Sequence, residues 1–150
     1  MNNEFTIVAT ADIDPDQLHQ LYTSVGWTGY TNDLEALIRA VENSTYVVTA
    51  QTDDRLIGLA RGMSDDVSVF YLQDILVRPD WQHRGVGRSL LGNCLDRFDH
   101  VRQKVLLTDD LPEQHRFYES LGYVDTRHIS NLALHAFVQI RNVNLETEER

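Results

Sequence analysis

A chain of 150 residues with 42% hydrophobic content is sized for one domain that buries roughly 70% of its unfolded surface. Its 13 basic and 23 acidic residues leave a net charge of −10, which argues against nucleic-acid binding and is compatible with a cationic substrate. No run approaches the ~18 apolar residues of a membrane span, no leader pattern is visible, and one cysteine permits no internal disulfide, so a cytoplasmic protein is expected.

Residues 5–10 alternate apolar and polar side chains and predict a first strand. Asp14 before Pro15 marks a helix start, with Leu18, Leu21, Tyr22 and Val25 on its inner face. A loop carrying Trp27 and Tyr30 follows. Thr31 or Asn32 is then read as the cap of a second helix built on Leu34, Leu37, Ile38 and Val41. Residues 46–51 and 55–61 read as strands around a turn at Thr52, Asp53 and Asp54. After a turn at Asp65 and Asp66, a long strand over residues 68–77 ends before Pro79.

Val86, Leu90, Leu91, Cys94, Leu95 and Phe98 form one apolar stripe and predict a helix from about Gly85 to Phe98. Cys94 falls on that stripe and is expected in the core. Gly92 sits mid-helix at a cost of roughly 1 kcal/mol against alanine, which predicts a close neighbour. Residues 104–108 form a short apolar strand. Pro112 opens a helix with Phe117, Tyr118 and Leu121 that stops at Gly122. Residues 124–138 read as extended, in one or two strands, and residues 141–150 as a polar, acidic tail beyond a domain over 1–140. The sum is β-α-α-β-β-β-α-β-α-β(-β), an α/β (α+β) fold with a mixed sheet and helices on both faces.

The junction between the long strand and the glycine-entered helix carries the chemistry. A helix start offers backbone N–H groups and the positive end of the macrodipole, and glycines let an anion approach. Gly85 and Gly87 stand there beside Arg84 and Arg88, within a segment of three arginines and one aspartate in an acidic chain. A phosphorylated ligand suits that island. A dinucleotide-binding turn does not: Leu90 occupies the third glycine position, seven residues separate Val77 from Gly85, and three strands lack intervening helices.

The run Leu76-Val77-x-Pro79, then Gln82-x-x-Gly85-x-Gly87, resembles the acetyl-CoA motif of the GNAT superfamily of N-acetyltransferases. Phe117-Tyr118-x-x-x-Gly122-Tyr123 resembles the family's second signature, and the element order is similar over most of the chain. The resemblance implies a mixed, mostly antiparallel sheet of six to seven strands, with a bulge in the fourth. It implies transfer of an acetyl group from acetyl-CoA to a primary amine by direct attack.

On that resemblance, backbone groups of Ile75, Leu76 and Val77 bind the pantetheine arm. Gln82, His83, Arg84, Gly85, Val86, Gly87, Arg88 and Ser89 surround the pyrophosphate. Tyr118 lies by the sulfur and protonates the departing thiolate; an unperturbed phenol near pKa ~10 keeps its proton at neutral pH. Asp74 stands where several members carry an acid that deprotonates the amine. An acid within Phe70-Tyr71-Leu72-x-x-Ile75-Leu76-Val77 is costly to bury without a partner, which singles it out independently. Trp27 and Tyr30 line the acceptor pocket with Asp74, packing being the alternative for the two rings. The six histidines show no metal-ligand spacing, and no metal, membrane or nucleic-acid partner is expected. Dimers are common in the family, so a homodimer is an open expectation. Leu111 and Gln114 replace the family's usual Asn and Ala, which favours the rival reading of a non-catalytic acyl-CoA-binding sensor or interaction module.

Overall fold

Five strands lie side by side in the order in which the chain makes them. In the computed structural model, which describes residues 4–148, these are β1 (Thr6–Ala9), β2 (Tyr46–Gln51), β3 (Leu56–Ser64), β4 (Val69–Val77) and β5 (Gln103–Leu106). The helices are α1 (Pro15–Ser24), α2 (Thr28–Thr31), α3 (Leu34–Glu42), α4 (Val86–Arg97) and α5 (Pro112–Ser120). Neighbouring strands run antiparallel except β4 and β5, which are parallel and joined through α4. The chain forms two compact units that divide between Asp109 and Asp110. No described helix is long and apolar enough to cross a membrane.

In the first unit, both sheet faces are covered. Leu18, Leu21 and Tyr22 of α1 and Leu37 and Val41 of α3 bury one face against Val47, Leu59 and Leu76. On the other, Phe98 at the end of α4 stacks on Phe70 with ring centroids 4.5 Å apart, and Tyr46 donates to Asn93 Oδ1 at 2.6 Å. Cys94 is fully buried in this layer, and desolvation pushes its thiol up to about 12. A Cβ at Gly92 would meet no atom within 4 Å, so the close neighbour expected there is absent and helix α4 tolerates the glycine without using it.

The helix starts follow their caps. Asp14 Oδ2 accepts from the Gln17 N–H at 3.1 Å with Pro15 next, as the sequence predicts. For α3 the cap is Asp33 and not Thr31 or Asn32: Asp33 Oδ1 accepts from the Ala36 N–H at 3.0 Å, while residues 28–31 are used by the short α2. Three consecutive capping residues leave that choice to tertiary packing.

An irregularity in β4 positions the site. Arg61 pairs with Asp74, but Gly62 pairs with Leu72, so β4 carries one extra residue, Gln73. Side-chain sidedness therefore switches there: Phe70 faces α4, whereas Asp74 and Leu76 face α1 and α3. The ladder to β5 runs from Val69 to Leu72 and stops at the same point.

The second unit contains α5, opened by Pro112 and closed at Gly122, whose φ of 91° is the left-handed stop expected of glycine. One or two further strands over residues 124–138 are expected from sequence; instead, this stretch holds a single 3₁₀ turn, Thr126–His128, and the sheet has five strands. Leu132, Leu134, Val138 and Ile140 alternate as a strand face would, but all four are exposed. Alternation supplies a face, and a strand also requires an edge to pair with.

Candidate active site

The extra residue in β4 frees one edge of the strand beyond Leu72. Ile75, Leu76 and Val77 pair with Ala60, Leu59 and Gly58 of β3 on one side, and have no β5 residue opposite on the other. Their outward backbone groups can receive an extended ligand as an added strand would be received. The Gln82 side-chain amide donates to the Val77 carbonyl at 3.0 Å, closing the end of that edge.

The chain then turns through Pro79–Trp81 and enters α4. His83 and Gly85 both adopt left-handed backbone, at φ 62° and 83°, on either side of Arg84. Arg84 lies over the Trp81 ring at 5.0 Å, and a Cβ at Gly85 would meet no atom within 4 Å. Helix α4 has no side-chain cap, and the N–H groups of Gly85, Val86 and Gly87 precede the first intrahelical bond. Arg78, just ahead, has buried Nε and Nη1 atoms with no hydrogen-bond partner and Asp80 at 3.7 Å. Uncapped donors at a positive dipole end, with an under-satisfied guanidinium nearby in sequence, fit a phosphorylated ligand such as coenzyme A. Gln82, His83, Arg84 and Gly85 are exposed along this turn; Arg88 and Ser89 are exposed on the first turn of α4, and Val86 is buried beneath it.

Beside the freed edge, three aromatic rings gather. Tyr22 lies 5.8 Å from Trp27 and 5.1 Å from Tyr30, and Trp27 lies 6.3 Å from Tyr30, centroid to centroid. Asp74, only 4% exposed, accepts from Tyr30 Oη at 3.0 Å on Oδ1, and from Tyr22 Oη at 2.9 Å and Arg61 Nε at 2.7 Å on Oδ2. Burial first, and the neighbouring Asp74 charge second, push both phenols up, so both act as donors at neutral pH. Trp27, Tyr30 and Asp74, singled out separately from sequence, thus form one cluster.

Sequence reasoning misses Arg61, although a signal exists. It interrupts the apolar run from Leu56 to Ala60 as Asp74 interrupts β4, and two isolated charges in adjacent strands call for each other. Tyr118 lies in the second unit, where it is buried, with its ring 5.1 Å from Phe117 and 6.1 Å from Tyr123. His115, one turn earlier, approaches Asp110 at 3.1 Å and Asp125 at 3.8 Å. No group of three or more His, Cys, Asp or Glu among the described residues is arranged to hold a metal ion.

Comparison with known proteins gives a consistent picture. The family model described as an acetyltransferase (GNAT) domain matches residues 10–138. An uncharacterized N-acetyltransferase ycf52-like protein of Prochlorococcus marinus is 31% identical over 129 residues, covering 81% of this chain and 70% of its own length. The uncharacterized N-acetyltransferase ycf52 of Pyropia yezoensis is 25% identical over 112 residues, 72% of this chain; the match spans 63% of that relative's length, a little under two thirds. A solved GNAT-family acetyltransferase from Streptococcus pneumoniae TIGR4 superposes with a TM-score of 0.73 at 27% identity, covering 89% of this chain and 98% of its own.

Proposed function

We infer the reaction from one premise: the chain belongs to the GNAT acetyltransferase family. It transfers the acetyl group of acetyl-CoA to the nitrogen of a primary amine in a ternary complex. The observation that carries this reading is the freed edge of β4 beyond Leu72, which leads directly into the uncapped, glycine-entered start of α4. Ile75, Leu76 and Val77 hold the pantetheine arm along that edge. The turn from Gln82 to Ser89 receives the pyrophosphate, its charge-assisted hydrogen bonds contributing roughly 1.5–3 kcal/mol each.

When bound, acetyl-CoA supplies a thioester whose carbon accepts the amine, so that a C–N bond forms and the C–S bond breaks. Tyr118 donates its phenolic proton to the departing sulfur and regains one from solvent. Trp27 and Tyr30 form the acceptor wall. The proton of the amine leaves through water, since Tyr22, Tyr30 and Arg61 already engage both oxygens of Asp74. A net charge of −10 and an aromatic wall favour a small cationic amine as acceptor.

The test is thiol release from acetyl-CoA against polyamines, amino acids, arylalkylamines and peptides, with calorimetry of coenzyme A alongside. Thiol released mole for mole with acetylated amine is the expected result. Absence of any heat with coenzyme A or acetyl-CoA overturns the reading. Tight binding without transfer to any amine supports the non-catalytic sensor that Leu111 and Gln114 suggest.

A further inference from the structure

The proposed chemistry makes no use of Arg61, yet few side chains in the first unit are as thoroughly engaged. It is 4% exposed on β3, which lies between β2 and β4 in the sheet. Its Nε donates to Asp74 Oδ2 at 2.7 Å; Nη1 donates to Ser44 Oγ at 3.2 Å and to the Ala40 carbonyl at 3.4 Å; Nη2 donates to Tyr30 Oη at 3.2 Å. One planar guanidinium therefore ties α2, α3 and its exit, and β4 together, a task its five fixed donors suit and an ammonium does not.

The partners of Asp74 point the same way. A buried carboxylate needs donors beyond its ion-pair partner, and here they are the Tyr22 and Tyr30 hydroxyls, which bring α1 and α2 to the same point. Gln73, the extra residue of β4, donates to the same Tyr30 oxygen at 3.4 Å. The acceptor wall is thus anchored to the one point of the sheet where the strand edge opens. Removing any one member leaves buried charge or donors without partners.

We propose that Arg61 is a positioning residue of the acceptor site: paired with Asp74, it fixes the Tyr30 hydroxyl, and with it the Trp27–Tyr30 wall, against the bulge of β4. The inference rests on the acetyl-transfer reading for its kinetic consequence, and on geometry alone for its structural one. Asp74 serves here as an anchor, and its exchange of protons with the acceptor is not part of the cycle.

The experiment compares wild type with Arg61→Lys, Tyr30→Phe and the double variant, using an amine from the panel above. Arg61→Lys keeps the charge but cannot reach all four partners. It is expected to raise the acceptor KM roughly tenfold, the loss of a charge-assisted hydrogen bond, with kcat and the acetyl-CoA KM within twofold. The double variant is expected to be no worse than the poorer single, since both changes cut one chain of contacts. The pH dependence of kcat is expected to stay put. An equal rise in both KM values, additive effects, or loss of a limb of the pH profile overturns the proposal. Hydrogen exchange at the amides of residues 26–32 reads the same anchor without any turnover. Faster exchange there in Arg61→Lys, with β2 and β3 unchanged, is expected; unchanged exchange overturns the proposal. If wild type releases no thiol, the acetyl-transfer reading fails and the exchange result still decides the role of Arg61.

Discussion

Two glycines, Gly85 at the entry to α4 and Gly92 within it, separate the anion-cradle reading from a purely conformational one. Gly85 sits at the helix start with φ 83°, where a Cβ would meet no atom within 4 Å. Gly85→Ala therefore meets no clash, and its folding cost is the left-handed penalty of an L-residue, roughly 1–2 kcal/mol. For a domain of this length, that lowers Tm by roughly 2–8 °C. Gly92 has the same open surroundings but ordinary helical backbone, so Gly92→Ala is expected to raise Tm by roughly 1–4 °C. Thermal denaturation of both variants measures this pair of opposite shifts. Calorimetry with coenzyme A then separates ligand from fold: Gly85→Ala is expected to weaken binding roughly 10- to 100-fold, as a backbone donor moves out of line, and Gly92→Ala to leave it unchanged. A Gly85→Ala protein with reduced Tm and undiminished affinity would refute the cradle and leave the glycine serving helix entry alone.

Further expectations follow from other residues. Tyr118→Phe is expected to lower kcat roughly 10²-fold or more with the acetyl-CoA KM little changed; activity within a factor of two removes the acid role. Gly62→Ala places a Cβ 2.5 Å from the Phe70 ring and 2.6 Å from the Tyr71 carbonyl oxygen, and a loss of roughly 1–3 kcal/mol by denaturant titration is expected. Cys94 is expected to resist alkylation at pH 8 in the native protein and to react once it is unfolded. Burial and the Asp74 charge raise the Tyr22 phenol above its unfolded value, so its contribution to stability is complete below pH ~10 and lost as pH rises beyond it. Alkaline denaturation should show that slope, and Tyr22→Phe should reduce it while costing roughly 1–3 kcal/mol at neutral pH, because Asp74 loses a donor.

Local chemistry makes much of this architecture legible. Asp14 with Pro15, Pro112 and Gly122 bracket helices by mechanisms that act within one turn, and they are where the sequence puts them. The places of strands β1 to β5 along the chain follow from runs of apolar residues between turn signals. What escapes is non-local. Nothing in the spacing of β4 reveals that Gln73 is extra, since a bulge is defined by its partner strand. Without that shift, Asp74 would share a face with Phe70, and its pairing with Arg61 has no sequence signature beyond two charges in apolar surroundings. Residues 124–138 mislead for a related reason, because alternation does not name an edge. Trp27, Tyr30 and Asp74 each stand out singly; the arginine that joins them does not.

One inserted residue at Gln73 sets two distances at once. It parts β4 from β5, and it rotates the following side chain toward α1. Deleting it would leave Asp74 opposite Arg61 while removing the break in the strand, so the freed edge depends on this residue and the buried ion pair does not. Variation of this scaffold is therefore channelled away from the sheet and into the short Trp27–Tyr30 stretch, where a side chain can be exchanged without altering the register of β4.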